Sequence, residues 1–197
     1  MSTHKRIIVG ISGATGSIYG VRLLQRLREA GVETHLVISR WGARTLTHET
    51  PHSREDVEAL ATVSYPPGDV GAAISSGSFP TDGMIVAPCS AKTLSAIACG
   101  YGDSLIHRAA DVVLKERRKL VLAVREAPLS DIHLENMLKL SRMGVVIMPP
   151  LPAFYTLPKT LDDIVDHTVV RMLDQFGVSV PDAVRWTGEM GVGAKAN

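Results

Sequence analysis

An apolar run, Ile7-Ile8-Val9, passes directly into Gly10-Ile11-Ser12-Gly13-Ala14-Thr15-Gly16, and an amphipathic stretch from Ser17 to Ala30 follows. The order reads as strand, tight glycine loop, helix. Such a loop presents backbone N–H groups at the positive end of a helix, which favours a phosphate. Taken alone, it is also compatible with a plain tight turn.

The loop matches neither common nucleotide motif. A dinucleotide fingerprint requires G-x-G-x-x-G, and Ser12 stands at the second glycine. A Walker A loop ends in Gly-Lys-Ser/Thr, whereas Gly16 is followed by Ser17 and Ile18. The second strand ends in Ser39-Arg40, where an NAD site places an acidic residue. These departures leave a mononucleotide such as FMN, or NADP with Arg40 on its extra phosphate.

The 197 residues are 45% hydrophobic and 21% charged, with net charge +1, which suits one α/β domain with a sizeable core. The charge balance argues against nucleic acid and anionic membranes as partners. No stretch approaches the roughly twenty apolar residues of a membrane span. Met1 to Arg6 runs straight into a strand, so we expect no signal peptide and a cytoplasmic protein. Cys89 and Cys99 make neither a disulfide framework nor a zinc cluster, and the histidines show no ligand spacing, so no metal is expected.

Strand and helix patterns then alternate. Strands are expected at Arg6–Ile11, Thr34–Ile38, Gly83–Ala87, Leu120–Val124 and Val145–Met148. Helices are expected at Ser17–Glu29, Trp41–Glu49, from a Ser53 cap through Ala61, after Ser90, and at Ser104–Arg118, Ile132–Met143 and Leu161–Phe176. Continuous apolar strands separated by helices predict a doubly wound, three-layer α/β fold with a parallel sheet. One domain over residues 1–177 and an extended C-terminal arm over residues 178–197 complete the organisation.

Ligands of such folds sit beyond the carboxyl ends of the strands. Pro88-Cys89-Ser90-Ala91-Lys92-Thr93 offers hydroxyls and amides at a helix start, as an anion site or as an ordinary N-cap. Arg125-Glu126 could hold a phosphate or flavin carbonyl and manage a proton, or simply pair at the sheet edge. Pro149 to Tyr155 is rigid, apolar and aromatic, suiting either the wall of an apolar pocket or a proline-stiffened crossover.

Taken together, Gly10–Gly16, Ser75–Phe79, Pro88-Cys89-Ser90, Arg108–Arg118, Val124–Pro128, His133–Met137 and Pro152–Tyr155 resemble the UbiX-type flavin prenyltransferases in order and over essentially the whole chain. The resemblance implies a flavodoxin-like fold, FMN and a homododecamer. It implies transfer of a dimethylallyl group from dimethylallyl monophosphate to reduced FMN, first at N5, with ring closure at C6. The prenylated FMN would serve a UbiD-type decarboxylase.

The resemblance further implies that Gly13, Ala14, Thr15, Ser39, Ser90, Ala91, Lys92, Thr93 and Arg125 bind FMN. Lys115, Tyr155 and Arg171 would hold the prenyl phosphate, with Glu126 close by. Glu49 would line the reacting site, from its own or a neighbouring subunit, and Trp186 would cover the pocket from the C-terminal arm. Thr15 stands where the family usually has serine; it keeps a hydroxyl but restricts its rotamers. Two rivals share the flavin. An FMN-dependent decarboxylase of the cysteine-decarboxylase type typically uses a histidine in the first long helix, and Ser17 to Ala30 contains none. A non-catalytic FMN carrier, or a structural subunit of an aromatic acid decarboxylase complex, would not need Lys115, Glu126, Tyr155 and Arg171.

Overall fold

The computed structural model describes residues 5–181, 183–186 and 188. Six strands form one parallel sheet in the order β3-β2-β1-β4-β5-β6. They are β1 (Arg6–Ile11), β2 (Glu33–Ile38), β3 (Val63–Tyr65), β4 (Gly83–Cys89), β5 (Lys119–Val124) and β6 (Val146–Ile147). Among the described residues seven α-helices cover the sheet: α1 (Ser17–Glu29), α2 (Arg40–Glu49), α3 (Arg54–Glu58), α4 (Ala91–Cys99), α5 (Leu105–Lys115), α6 (Asp131–Arg142) and α7 (Leu161–Asp174).

The two-residue period of the strands divides the core between both faces of the sheet. Ile7, Val9 and Ile11 point into one layer with Leu24 and Leu27 of α1 and Val169 and Leu173 of α7. Ile8 points into the other with Ile106 and Ala110 of α5 and Leu140 of α6. Each such side chain contributes on the order of 1.5–3 kcal/mol through burial. A strand buried on both faces must be apolar throughout, which is why these segments read as continuous runs.

The chain winds outward from β1 through β2 to β3, then returns to place β4 beside β1. The strand order reverses there, so the loops after β1 and β4 part and leave a crevice. Ser12 joins those two loops. Its buried hydroxyl donates to the Pro88 carbonyl (2.8 Å) and accepts from the Ser90 amide (2.8 Å). The residue that spoils the dinucleotide fingerprint therefore serves as a tie between strands.

Several boundaries differ from expectation. The three-residue β3, ended by Pro66, is too short to show a period. The helix capped by Ser53 stops at Glu58 rather than Ala61. The helix expected to reach Arg118 ends at Lys115, because Arg117 adopts a left-handed φ of 56° and turns the chain into β5. β4 runs on to Cys89 through a register shift. β6 is two residues long, and α7 stops at Asp174. The expected arm begins by packing on the core through buried Val178 and Val180. Residues 182, 187 and 189–197 of that arm lie outside the described residues.

Candidate functional site

Two helix starts converge beyond the carboxyl ends of β2 and β4. Ser39 caps α2, its hydroxyl accepting from the Gly42 amide at 2.9 Å. Ser90 caps α4, accepting from the Thr93 amide at 3.3 Å while donating to Thr93 Oγ1 at 3.1 Å. Both open on a cavity of about 400 Å³ lined by Gly13, Ser39, Trp41, Ser90, Lys92 and Thr93. A Cβ on Gly13 would stand 2.5 Å from the Trp41 Cβ, so only glycine lets these two segments approach. Ala91 opens α4, and the Arg125 amide ties the end of β5 to Cys89 (3.0 Å).

The glycine loop folds differently from a phosphate loop. Gly16 adopts a left-handed φ of 94° and offers no side-chain cap to α1. The Glu49 carboxylate, from the end of α2, supplies the cap by accepting from the Gly16 amide (2.8 Å) and the Ser17 amide (3.1 Å). Partial burial pushes this carboxyl up, but hydrogen bonds from the Thr15 hydroxyl and both amides outweigh that and hold it below its ordinary range. Thr15 and Glu49 are thus brought together. The start of α1, the first expected anion site, is taken by the protein's own carboxylate, while α2 and α4 remain open to the cavity.

Beside the cradle, Arg125 and Glu126 are exposed, and the Ala127 amide donates to Glu126 Oε1 at 3.1 Å. Sequence reasoning missed Trp41, Asp103 and His107 in the cavity wall. Buried His107 meets Asp103 through Nδ1 at 2.8 Å. The signal available for Trp41 was its place next to Ser39-Arg40. For His107 and Asp103 it was their i,i+4 spacing at a helix start.

The remaining expected residues stand elsewhere on the protomer. Tyr155, 51% exposed, shares a hydrogen bond of 3.2 Å with His167 Nε2, and its ring meets the Trp186 edge at 5.8 Å between centroids. Burial and the charge of Arg171 both lower the His167 pKa. α7 lies along α1, with Asp162 on Arg22 and Asp166 on Arg22 and Arg26. Arg171 is therefore level with the C-terminal end of α1, about 20 Å of helix away from Gly16. The Phe176 carbonyl just beyond accepts from Lys5, which precedes β1.

Lys115 is on the opposite layer, four residues before β5, and pairs with Glu116 beside the Gly77 turn. The six residues of β5 place it about 20 Å from Arg125. Within one chain, Lys115 and Arg171 thus stand at the edge of the sheet opposite Glu126. Helix direction explains it: α5 and α7 run antiparallel to the strands, so their C-terminal ends lie at the edge opposite the cradle.

Burial pushes the Cys89 thiol pKa up, leaving an inert core residue. Among the described residues no group of three or more His, Cys, Asp or Glu side chains could hold a metal ion. Among the same residues no helix is long and apolar enough to cross a membrane.

Residues 1–173 match the profile of the Flavoprotein family. A probable UbiX-like flavin prenyltransferase of Escherichia coli is 64% identical over 93% of this chain and 93% of its own. The crystal structure of AnUbiX (PadA1) in complex with FMN and dimethylallyl pyrophosphate superposes with a TM-score of 0.94 and 50% identity, covering 95% of this chain and all of that one (100%). A dodecameric FMN-dependent UbiX-like decarboxylase from Escherichia coli O157:H7 gives 0.91 and 64%, covering 93% and 100%. By profile, sequence identity and backbone alike, the chain belongs to the Flavoprotein family and, within it, to the UbiX-type flavin prenyltransferases.

Proposed function

We propose that this chain transfers a dimethylallyl group from dimethylallyl monophosphate to reduced FMN, in a site completed by neighbouring copies of itself. The observation that carries the reading is the cavity beside Gly13 on which two serine-capped helix starts converge. Its donor set fits FMN. Helix-start amides, two hydroxyls and the Lys92 ammonium suit a phosphate dianion. The bare Gly13 backbone and the Trp41 side chain suit a flat ring. Gly13, Ala14, Thr15, Ser39, Ser90 to Thr93 and Arg125 would hold the cofactor.

Reduced FMN supplies the nucleophilic N5 and C6 positions; the protein supplies place, charge and proton handling. The phosphate head of the prenyl donor needs cations and hydroxyls, and neutralising its charge eases its departure. Lys115, Arg171 and Tyr155 are the right types. The allyl fragment needs an apolar, aromatic surround that excludes water, for which Leu151, Phe154 and Trp186 stand exposed. Glu126 can take the proton released on ring closure. Glu49, held ionised, orients Thr15.

In this reading Arg171 and Lys115 come from other copies, because they lie at the edge opposite their own cradle. Exposed Ile132, Leu134 and Leu138 on α6 offer surface for that packing. We assign a homododecamer, as in the Escherichia coli O157:H7 relative. The compartment we assign is the cytoplasm, which suits two free cysteines and a flavin that must stay reduced. A UbiD-type decarboxylase is the recipient we assign to the product.

The test is anaerobic incubation of the protein with reduced FMN and dimethylallyl monophosphate, followed by the mass of the released flavin. Gain of one dimethylallyl group is expected, and loss of that gain in Glu126→Gln. Tightly bound but unmodified FMN would instead favour a carrier or a decarboxylase.

A further inference from the structure

One carboxylate on α7 holds two arginines. Asp174 Oδ2 accepts from Arg171 Nη1 at 2.8 Å and from Arg185 Nη1 at 2.9 Å, while Oδ1 accepts from Arg185 Nη2 at 2.8 Å. The Asp174 side chain is only 18% exposed, whereas the two arginines are about half exposed. Two cations on one anion leave an excess positive charge. Among the described residues one nitrogen of Arg171 is engaged, which leaves the rest of its fork to face an oxyanion.

The residue after Arg185 is Trp186, which sits edge-on to Tyr155, and Tyr155 is hydrogen-bonded to His167 one turn before Arg171. A continuous set of contacts thus runs from the C-terminal segment through Asp174 to the arginine expected to bind phosphate. We infer that Asp174 is a positioning residue that latches the C-terminal segment to Arg171, so that prenyl phosphate binding and placement of Trp186 over Tyr155 are coupled. The inference rests on the reading of Arg171 as a phosphate ligand. Asp174 itself does not touch the substrate. It holds Arg171 with its fork outward and anchors Arg185 by a two-point bond, which fixes the direction of the following indole.

The experiment compares steady-state kinetics with dimethylallyl monophosphate and chymotryptic cleavage after Trp186, in the full-length protein with FMN bound. Asp174→Asn and Arg185→Gln should each raise KM about fivefold, with kcat within about twofold. Both should speed cleavage after Trp186, and added dimethylallyl monophosphate should protect the unmutated protein more than either variant. Arg185→Lys, which keeps the charge and one hydrogen bond, should restore most of the KM. Arg185 is exposed, so its variants test the idea even if Asp174→Asn fails to fold.

Arg171→Ala separates the latch from the phosphate site. If it raises KM while Asp174→Asn and Arg185→Gln leave both KM and cleavage unchanged, the latch is wrong and the phosphate reading stands. If Asp174→Asn lowers KM, Asp174 competes with the substrate instead of positioning Arg171, and the inference is overturned. If Arg171→Ala leaves KM unchanged, the phosphate reading fails and takes the latch with it.

Discussion

Glu49 closes the start of the helix that Gly16 opens, with its carboxylate 2.8 Å from the Gly16 amide across 33 residues of sequence. Gly16 has the left-handed backbone the turn requires but no side chain to cap α1. A carboxylate at a helix N-terminus satisfies orphan amides and meets the positive end of the dipole. Glu49→Ala should lower stability by about 1 kcal/mol, the usual cost of a lost cap, measured by urea unfolding. Glu49→Gln should cost less, because the amide oxygen still accepts. Both should slow product formation more than they weaken FMN binding, since the carboxylate touches Thr15 and not the α2 and α4 starts.

Burial, with help from the charge of Arg171, lowers the His167 pKa. The imidazole is therefore neutral at pH 7, and Nε2 can accept from the Tyr155 hydroxyl. For a group with a depressed folded-state pKa, the stabilisation is complete above the unfolded value near 6.5 and is lost as pH falls. Urea midpoints of the unmutated protein should drop between pH 7.5 and 5.5. The drop should be smaller in His167→Gln, which has no proton to take up there.

Ser12 is 1% exposed, and its hydroxyl bridges the Pro88 carbonyl and the Ser90 amide. Ser12→Ala strands one buried donor and weakens one buried acceptor, at a cost of about 1–3 kcal/mol. It also loosens the loop that presents the α4 start to the cavity. We expect a lower urea midpoint together with weaker FMN binding, read from quenching of flavin fluorescence. A fall in stability with unchanged FMN affinity would show that the tie serves the fold alone.

The cradle was legible because its residues sit on short loops directly after apolar strands, where topology fixes their place. Ser39 and Ser90 cap helices that the sequence already announces. The Glu49 cap was not legible, since nothing local links it to Gly16. β3 escaped because three residues cannot show a period. The run Lys115-Glu116-Arg117-Arg118 reads as helix by composition, and the left-handed Arg117 within it is a tertiary requirement of entering β5. Arg171 and Lys115 are cations of a type that suits phosphate, but residue types do not reveal that helix direction carries them to the opposite edge.

The composite site is most directly tested by subunit complementation. Arg125→Ala damages the cradle and Lys115→Ala the remote cation, so each variant alone should give little prenylated flavin. Dissociated and reassembled together, they form some sites with both groups intact. Mixed assemblies incubated anaerobically with reduced FMN and dimethylallyl monophosphate should regain flavin carrying one added dimethylallyl group. Mixed assemblies no more active than the separate variants would contradict a site shared between copies.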